Sequence, residues 1–129
     1  MKTTPYSRGF TPPVPVLSVS LTLPYEASRF GPYLALIDTG ADGTFVPTPL
    51  LEEVGASVMY MTNVRSYLGD KVRRVSVHSI DLILSDVDRL PNVEVVSDDW
   101  GDQIILGRNV LNQLRLLLDG PKMTTSVLK

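Results

Sequence analysis

The sequence contains no cysteine, which excludes disulfide staples and thiolate metal sites. It has a single histidine, His78, so Ser-His or Cys-His chemistry would have to run through that one residue. His78 lies in the middle of an apolar-rich stretch that reads as a strand, a poor place for a general base. No stretch approaches the roughly 18 consecutive apolar residues of a membrane-spanning helix. Positive charge is not in surplus either: 12 Lys and Arg stand against 14 Asp and Glu, interspersed, for a net charge of −2. Nucleic-acid binders carry a basic face to neutralise phosphates, so neither a nucleic acid nor a membrane is expected as a partner. Residues Met1 to Pro15 carry Lys2 and Arg8 but no apolar run of the kind that forms a signal-peptide core. A cytoplasmic location is the expectation.

What is present suits one soluble domain. The chain has 129 residues, 43% of them hydrophobic, enough for one core and too few for two full domains. Residues 1–15 are rich in Pro and Thr and read as an extended leader with little fold of its own. Residues 16–119 form the expected domain, and 120–129 a tail. Leu17, Val19, Leu21 and Leu23 alternate with Ser18, Ser20 and Thr22, the period-two pattern of a strand with one wet face. Tyr33 to Ile37 is apolar throughout, which predicts a strand buried on both faces. Pro47 to Gly55 could hold one helical turn with Glu52 and Glu53 outward. Val58 to Val64 reads as a strand. Val72 to Leu84 reads as a long strand whose apolar parity changes between Val77 and Ile80, which predicts a β-bulge near His78-Ser79. Tyr67-Leu68-Gly69-Asp70 supplies a hairpin tip before it. Val93 to Val96 and Gln103 to Leu106 are further short strands, divided by an acidic loop around Trp100. Gly107-Arg108-Asn109 opens the clearest helix signal, with Val110, Leu111 and Leu114 on one face. Many short strands and one short late helix indicate an all-β barrel or sandwich.

Two strings carry chemistry. In Leu36-Ile37-Asp38-Thr39-Gly40-Ala41-Asp42, an apolar strand delivers a carboxylate to its end, followed by a small hydroxyl residue and a glycine. Such a carboxylate can be poised for proton transfer, or it can serve an Asx turn that satisfies local backbone donors. In Ile104-Ile105-Leu106-Gly107-Arg108-Asn109, a core strand breaks at glycine, and Arg108 beside it calls for an acidic partner. Asp42 is one by type. No histidine or further carboxylate lies near Asp38 and Asp42 in the chain, so no metal site is expected there. Asp98, Asp99 and Asp102 read as a solvated acidic loop.

Together these strings resemble those of the retroviral-type aspartic peptidases, or retropepsins. That family carries an apolar pair before Asp-Thr/Ser-Gly-Ala, then a flap hairpin, then an apolar-apolar-Gly-Arg-Asn segment. The resemblance spans approximately Val16 to Leu118. It implies a closed acid-protease barrel with one short C-terminal helix, working as a homodimer on an extended peptide without metal or organic cofactor. Asp38 would be catalytic, meeting its symmetry mate at the dimer axis, and the tail could add to the dimer interface. Thr39 would brace the paired active-site loops and Gly40 would lie beside the substrate backbone. Ala41, Asp42 and Gly43 would contribute to substrate binding, with Asp42 on the substrate main chain or paired to Arg108. Tyr67, Leu68, Gly69 and Asp70 would form the flap. The following Lys71, Arg73 and Arg74 make that hairpin unusually charged, and solvation with edge protection accounts for the arginines. The same fold and motifs could also serve a catalytically silent dimer that binds peptides.

Overall fold

The computed structural model describes residues 2–65, 71–84 and 88–128. Strands are β1 (Lys2–Pro5), β2 (Val16–Thr22), β3 (Phe30–Ile37), β4 (Thr44–Pro47), β5 (Val58–Arg65), β6 (Val72–Leu84), β7 (Asp88–Asp98), β8 (Ile104–Leu106), β9 (Arg115–Asp119) and β10 (Thr124–Leu128). Helix α1 spans Thr48–Val54, and α2 spans Arg108–Leu111.

The main sheet runs β2-β3-β8-β4-β7-β6-β5, and an extra β2–β6 pairing closes it. The result is a closed barrel of six strands, with β5 extending β6 outside the ring. The alternation read in β2 holds from Leu17 to Leu21, where Leu17, Val19 and Leu21 are core and Ser18 and Ser20 half-buried, but Thr22, read on the wet face, is fully buried. Leu17, Val19 and Leu21 pack with Leu82, Leu84, Val95 and Leu106. Each such side chain withdrawn from water contributes roughly 1.5–3 kcal/mol.

Several sequence expectations need correction. Strand β3 is not buried on both faces. Ala35 is fully buried, but Leu34 is 52% exposed, because β3 covers the barrel with one face only. The irregularity predicted inside β6 lies in its neighbours instead. Two steps of β5 (Val58 to Tyr60) face one of β6 (His78 to Val77), and three steps of β7 (Val93 to Leu90) face two of β6 (Ile80 to Leu82). Extra residues in both partners bend the sheet around a continuous β6. Helix α1 is longer than the single turn expected and longer than α2, which stops after four residues. Its signals are a proline in the first turn and Gly55 at the C-terminus. Gly55 takes a left-handed φ of 82° and donates to the carbonyls of Leu51 and Glu52.

The leader and the tail also meet. Strand β1 pairs with β10, and β10 with β9, in a separate three-stranded sheet. Residues 2–5, read as part of a leader with little fold of its own, form a strand whose partner lies more than a hundred residues away.

His78 is buried in β6, with Nδ1 3.0 Å from the Ala56 carbonyl and Nε2 2.9 Å from the Ser76 hydroxyl. The carbonyl can only accept, so Nδ1 carries a proton and donates to it. The ring joins the β5 side of the sheet to β6.

One buried acid escaped the sequence reading. Asp81, 1% exposed in β6, accepts from Arg89 Nε at 2.7 Å, from the Asn92 N–H at 2.8 Å and from the Tyr25 N–H at 3.4 Å. Arg89 also donates to the Glu26 carbonyl at 2.8 Å, so the β2–β3 connection is tied to β7. Burial alone would push the Asp81 carboxyl up. The Asn92 N–H, the Arg89 guanidinium and the Tyr25 N–H outweigh it and hold the group below its ordinary value. A pKa depressed by folding stabilises above the unfolded carboxyl's value of about 3.9, and that stability is lost as pH falls through the lower folded value. Arg89 is a third exposed, so Asp81→Asn should cost about 2 kcal/mol at neutral pH, less than breaking a fully buried pair. The variant should then lose less stability than the parent between neutral pH and pH of about 3. Denaturant melts at both pH values check this; equal losses in the two proteins would assign the acid limit to other groups.

Candidate active site

Strand β3 ends at Ile37, and Asp38 follows it at the surface. The Asp38 N–H donates to the Leu106 carbonyl at 3.1 Å, continuing the β3–β8 pairing. The chain then turns sharply. The Gly40 N–H donates to Asp38 Oδ1 at 2.9 Å, and the Ala41 N–H to the Asp38 carbonyl at 3.2 Å. The Asx turn is therefore present. It leaves Oδ2 for other partners and fixes the carboxylate's direction, so the turn and a chemical role do not exclude each other.

The second string is laced to the first. The Arg108 N–H donates to the Ala41 carbonyl at 2.8 Å and the Asn109 N–H to the Asp42 carbonyl at 3.3 Å. The Arg108 guanidinium donates to the Thr39 carbonyl at 2.9 Å and reaches Asp42 Oδ1 at 3.4 Å. The ion pair is the weaker contact, since Asp42 is almost wholly exposed and Arg108 about half. The main-chain contact to Thr39 is what ties the guanidinium to the loop.

Thr44 and Asn109 complete the lacing, and sequence reasoning missed both roles. The buried Thr44 hydroxyl accepts from the Gly107 N–H at 3.1 Å and donates to Asn109 Oδ1 at 2.7 Å. Asn109 Nδ2 then reaches the Glu94 carbonyl at 3.0 Å. A hydroxyl residue opening a strand straight after the Asp-Thr-Gly loop was the available signal. Gly107 has an ordinary extended backbone. Its glycine answers a need for space, since a Cβ there would collide with the Gly43 carbonyl.

Asp38, Gly40, Ala41, Asp42 and Gly43 form one wall of an open cleft, faced by Asn63, Val64 and Arg65 of β5 and by Lys71 and Arg73. The expected flap residues Tyr67, Leu68, Gly69 and Asp70 lie outside the described residues. The strands leading to them pair from Val58 to Arg65 against His78 to Val72. Arg73 is exposed, in keeping with its reading as solvated, and lies over the Trp100 ring, 4.4 Å from its centroid.

The chain has a retropepsin-like fold. It is similar to a retropepsin-like aspartic protease from Rickettsia conorii, with a TM-score of 0.66 at 12% identity over 98% of this chain and 88% of that one. It is also similar to the retroviral protease-like domain of Ddi1 from Leishmania major, with a TM-score of 0.48 at 17% identity over 90% and 96% of the two chains. No family's sequence pattern matches the chain, and no curated protein does. Among the described residues, no helix is long and apolar enough to cross a membrane.

Proposed function

We propose that the chain is one subunit of an aspartic endopeptidase, in which Asp38 and its symmetry mate form the catalytic pair across a homodimer axis. The observation that carries the reading is the lacing just described. Main-chain and Arg108 contacts fix the Asp38 loop from behind and leave the carboxylate exposed at the edge of a cleft. Peptide hydrolysis of this type needs one carboxylate to take a proton from water and another to protonate the scissile carbonyl. Two carboxyls about 3 Å apart share one proton, because both cannot ionise together, and this separates acid from base. One chain supplies a single such loop; a twofold axis through it supplies the second.

Thr39 and Gly40 are exposed, available to meet the partner loop and the substrate backbone. Ala41, Asp42 and Gly43 line the side of the cleft where an extended peptide would pair its main chain. Tyr67 to Asp70 would close over it. Exposed Leu117 and Leu118 on β9 and Leu128 on β10 offer apolar area for a partner subunit, and residues 120–129 would take part in that interface.

The test is incubation of the purified protein with a diverse peptide mixture from acid to neutral pH, alongside Asp38→Asn. Cleavage that disappears in the variant supports the peptidase. Affinity for peptides with no cleavage at any pH would replace it with a silent peptide-binding dimer.

The lacing yields a second expectation. Arg108→Met should keep the core intact, since the side chain is about half exposed, yet free the Thr39 carbonyl. Loss of one charge-assisted hydrogen bond should cost about 1.5 kcal/mol, and catalysis should fall more than stability does, because a loop displaced by about 1 Å can lose 10²-fold. Parallel melting and turnover measurements check the split.

A further inference from the structure

A second cavity, of about 490 Å³, adjoins the Asp38 cleft. The two share Phe45, Val64, Arg73 and Val96, so a peptide in the cleft could lower one side chain into it. The cavity wall is mostly apolar, built from Phe45, Val64, Val75, Val96 and Ile105. Four charged residues stand around it: Arg73, Arg74, Asp98 and Asp99.

Each of the two acids has one oxygen occupied by neutral donors and keeps its charge. Asp98 Oδ1 accepts the N–H groups of Trp100 and Gly101, each at 3.0 Å, and Asp99 Oδ1 accepts the Thr48 hydroxyl at 2.6 Å. Among the described residues, neither Arg73 nor Arg74 has a carboxylate partner, and Lys71 adds a third positive charge to the neighbouring cleft. Arg73 is also held in place by Trp100. A guanidinium lying on an aromatic face keeps its in-plane N–H edge free for a carboxylate and has already lost rotamer freedom, so less is lost on binding.

We propose, resting on the peptidase reading above, that this cavity takes a glutamate side chain of the substrate and that Arg73 determines the preference. The aliphatic stem lies on Phe45, Val64 and Ile105, and the carboxylate meets the Arg73 guanidinium. Asp98 and Asp99 balance the two arginines in number, but of the four charges only Arg73 is held against a ring, and a lysine side chain is the competitor that the experiment sets against glutamate.

The experiment profiles cleavage of a peptide library, then compares matched peptides with Glu, Gln or Lys at the selected position. Glu over Gln by roughly tenfold in kcat/KM is expected, the scale of a charge-assisted bidentate contact. Arg73→Met should bring that ratio to about one whatever its absolute rate, and Arg73→Glu should invert the preference toward Lys. Cleavage without a Glu preference, or with a Lys preference, overturns the inference and leaves the peptidase reading standing. Should no peptide be cleaved, the same Glu and Gln peptides are titrated into Asp38→Asn protein. Tighter binding of Glu, lost in the Arg73→Met double variant, retains the cavity assignment while the peptidase reading falls. Equal binding, or none, overturns the cavity assignment too.

Discussion

Asp38→Asn is expected to lower peptide cleavage by about 10³-fold or more, inside the 10²–10⁴ range that a positioned acid–base group supplies. Its stability should stay within about 0.5 kcal/mol of the parent. The side chain is exposed, and an asparagine oxygen can still accept the Gly40 N–H that shapes the turn. The variant also gives a test of the paired mechanism that a simple loss of activity does not. When equal amounts of parent and variant exchange subunits at random, about a quarter of the dimers carry Asp38 in both subunits, whereas about half of all chains carry Asp38. Activity at fixed total protein should therefore fall to about a quarter of the parent's if the pair spans the axis, and to about half if each chain acts alone. A value near half would sink the dyad. It would also show that the second carboxylate must come from within the same chain, where Asp42 is the nearest by sequence.

The parts of the fold legible in the sequence are those whose signal is local. Alternation in Leu17 to Leu21 gave a strand, and the apolar run ending at Asp38 gave the strand that presents the candidate site. The return of Gly107-Arg108-Asn109 to the Asp38 loop was legible as a resemblance and, for Arg108 and Asp42 alone, as a pairing by residue type. Its physical content, four contacts onto residues 39–42, depends on a parallel β3–β8 pairing that no local pattern encodes. The same limit explains the leader. Lys2 to Pro5 has neither periodicity nor apolar density, and its strand exists because β10 offers an edge. Asp81 was hidden differently. An acid between Ile80 and Leu82 reads as a break in the pattern, yet Arg89 and the N–H groups of Asn92 and Tyr25 come together there and let it stay ionised inside. The contact of the exposed Arg73 with Trp100 was not foreseen, because the ring lies 27 residues along the chain and charge pattern alone does not reveal cation–π contacts.

Gly107→Ala should be the most damaging glycine-to-alanine change among the described residues. The added Cβ would drive into the Gly43 carbonyl and press on the Ala41 carbonyl oxygen at 3.0 Å. Both are backbone, so no rotamer change relieves the contact. Either β8 or the Asp38 loop must move, and with it the hydrogen bond from the Gly107 N–H to Thr44. A cost of about 4 kcal/mol is expected, in the range that marks a specific structural fault, with at least about 10²-fold lost from any activity that depends on loop position. Gly43→Ala is the matched control. A Cβ at that position meets nothing within 4 Å, so its stability should change by less than about 0.5 kcal/mol. Denaturant titration of the two variants side by side separates the explanations. If glycine were needed at both places for backbone freedom, the two would suffer alike. If Gly107 is glycine because two strings of the site must touch main chain to main chain, only that variant collapses, and an equal, small effect in both would mean the strings are not pressed together as described.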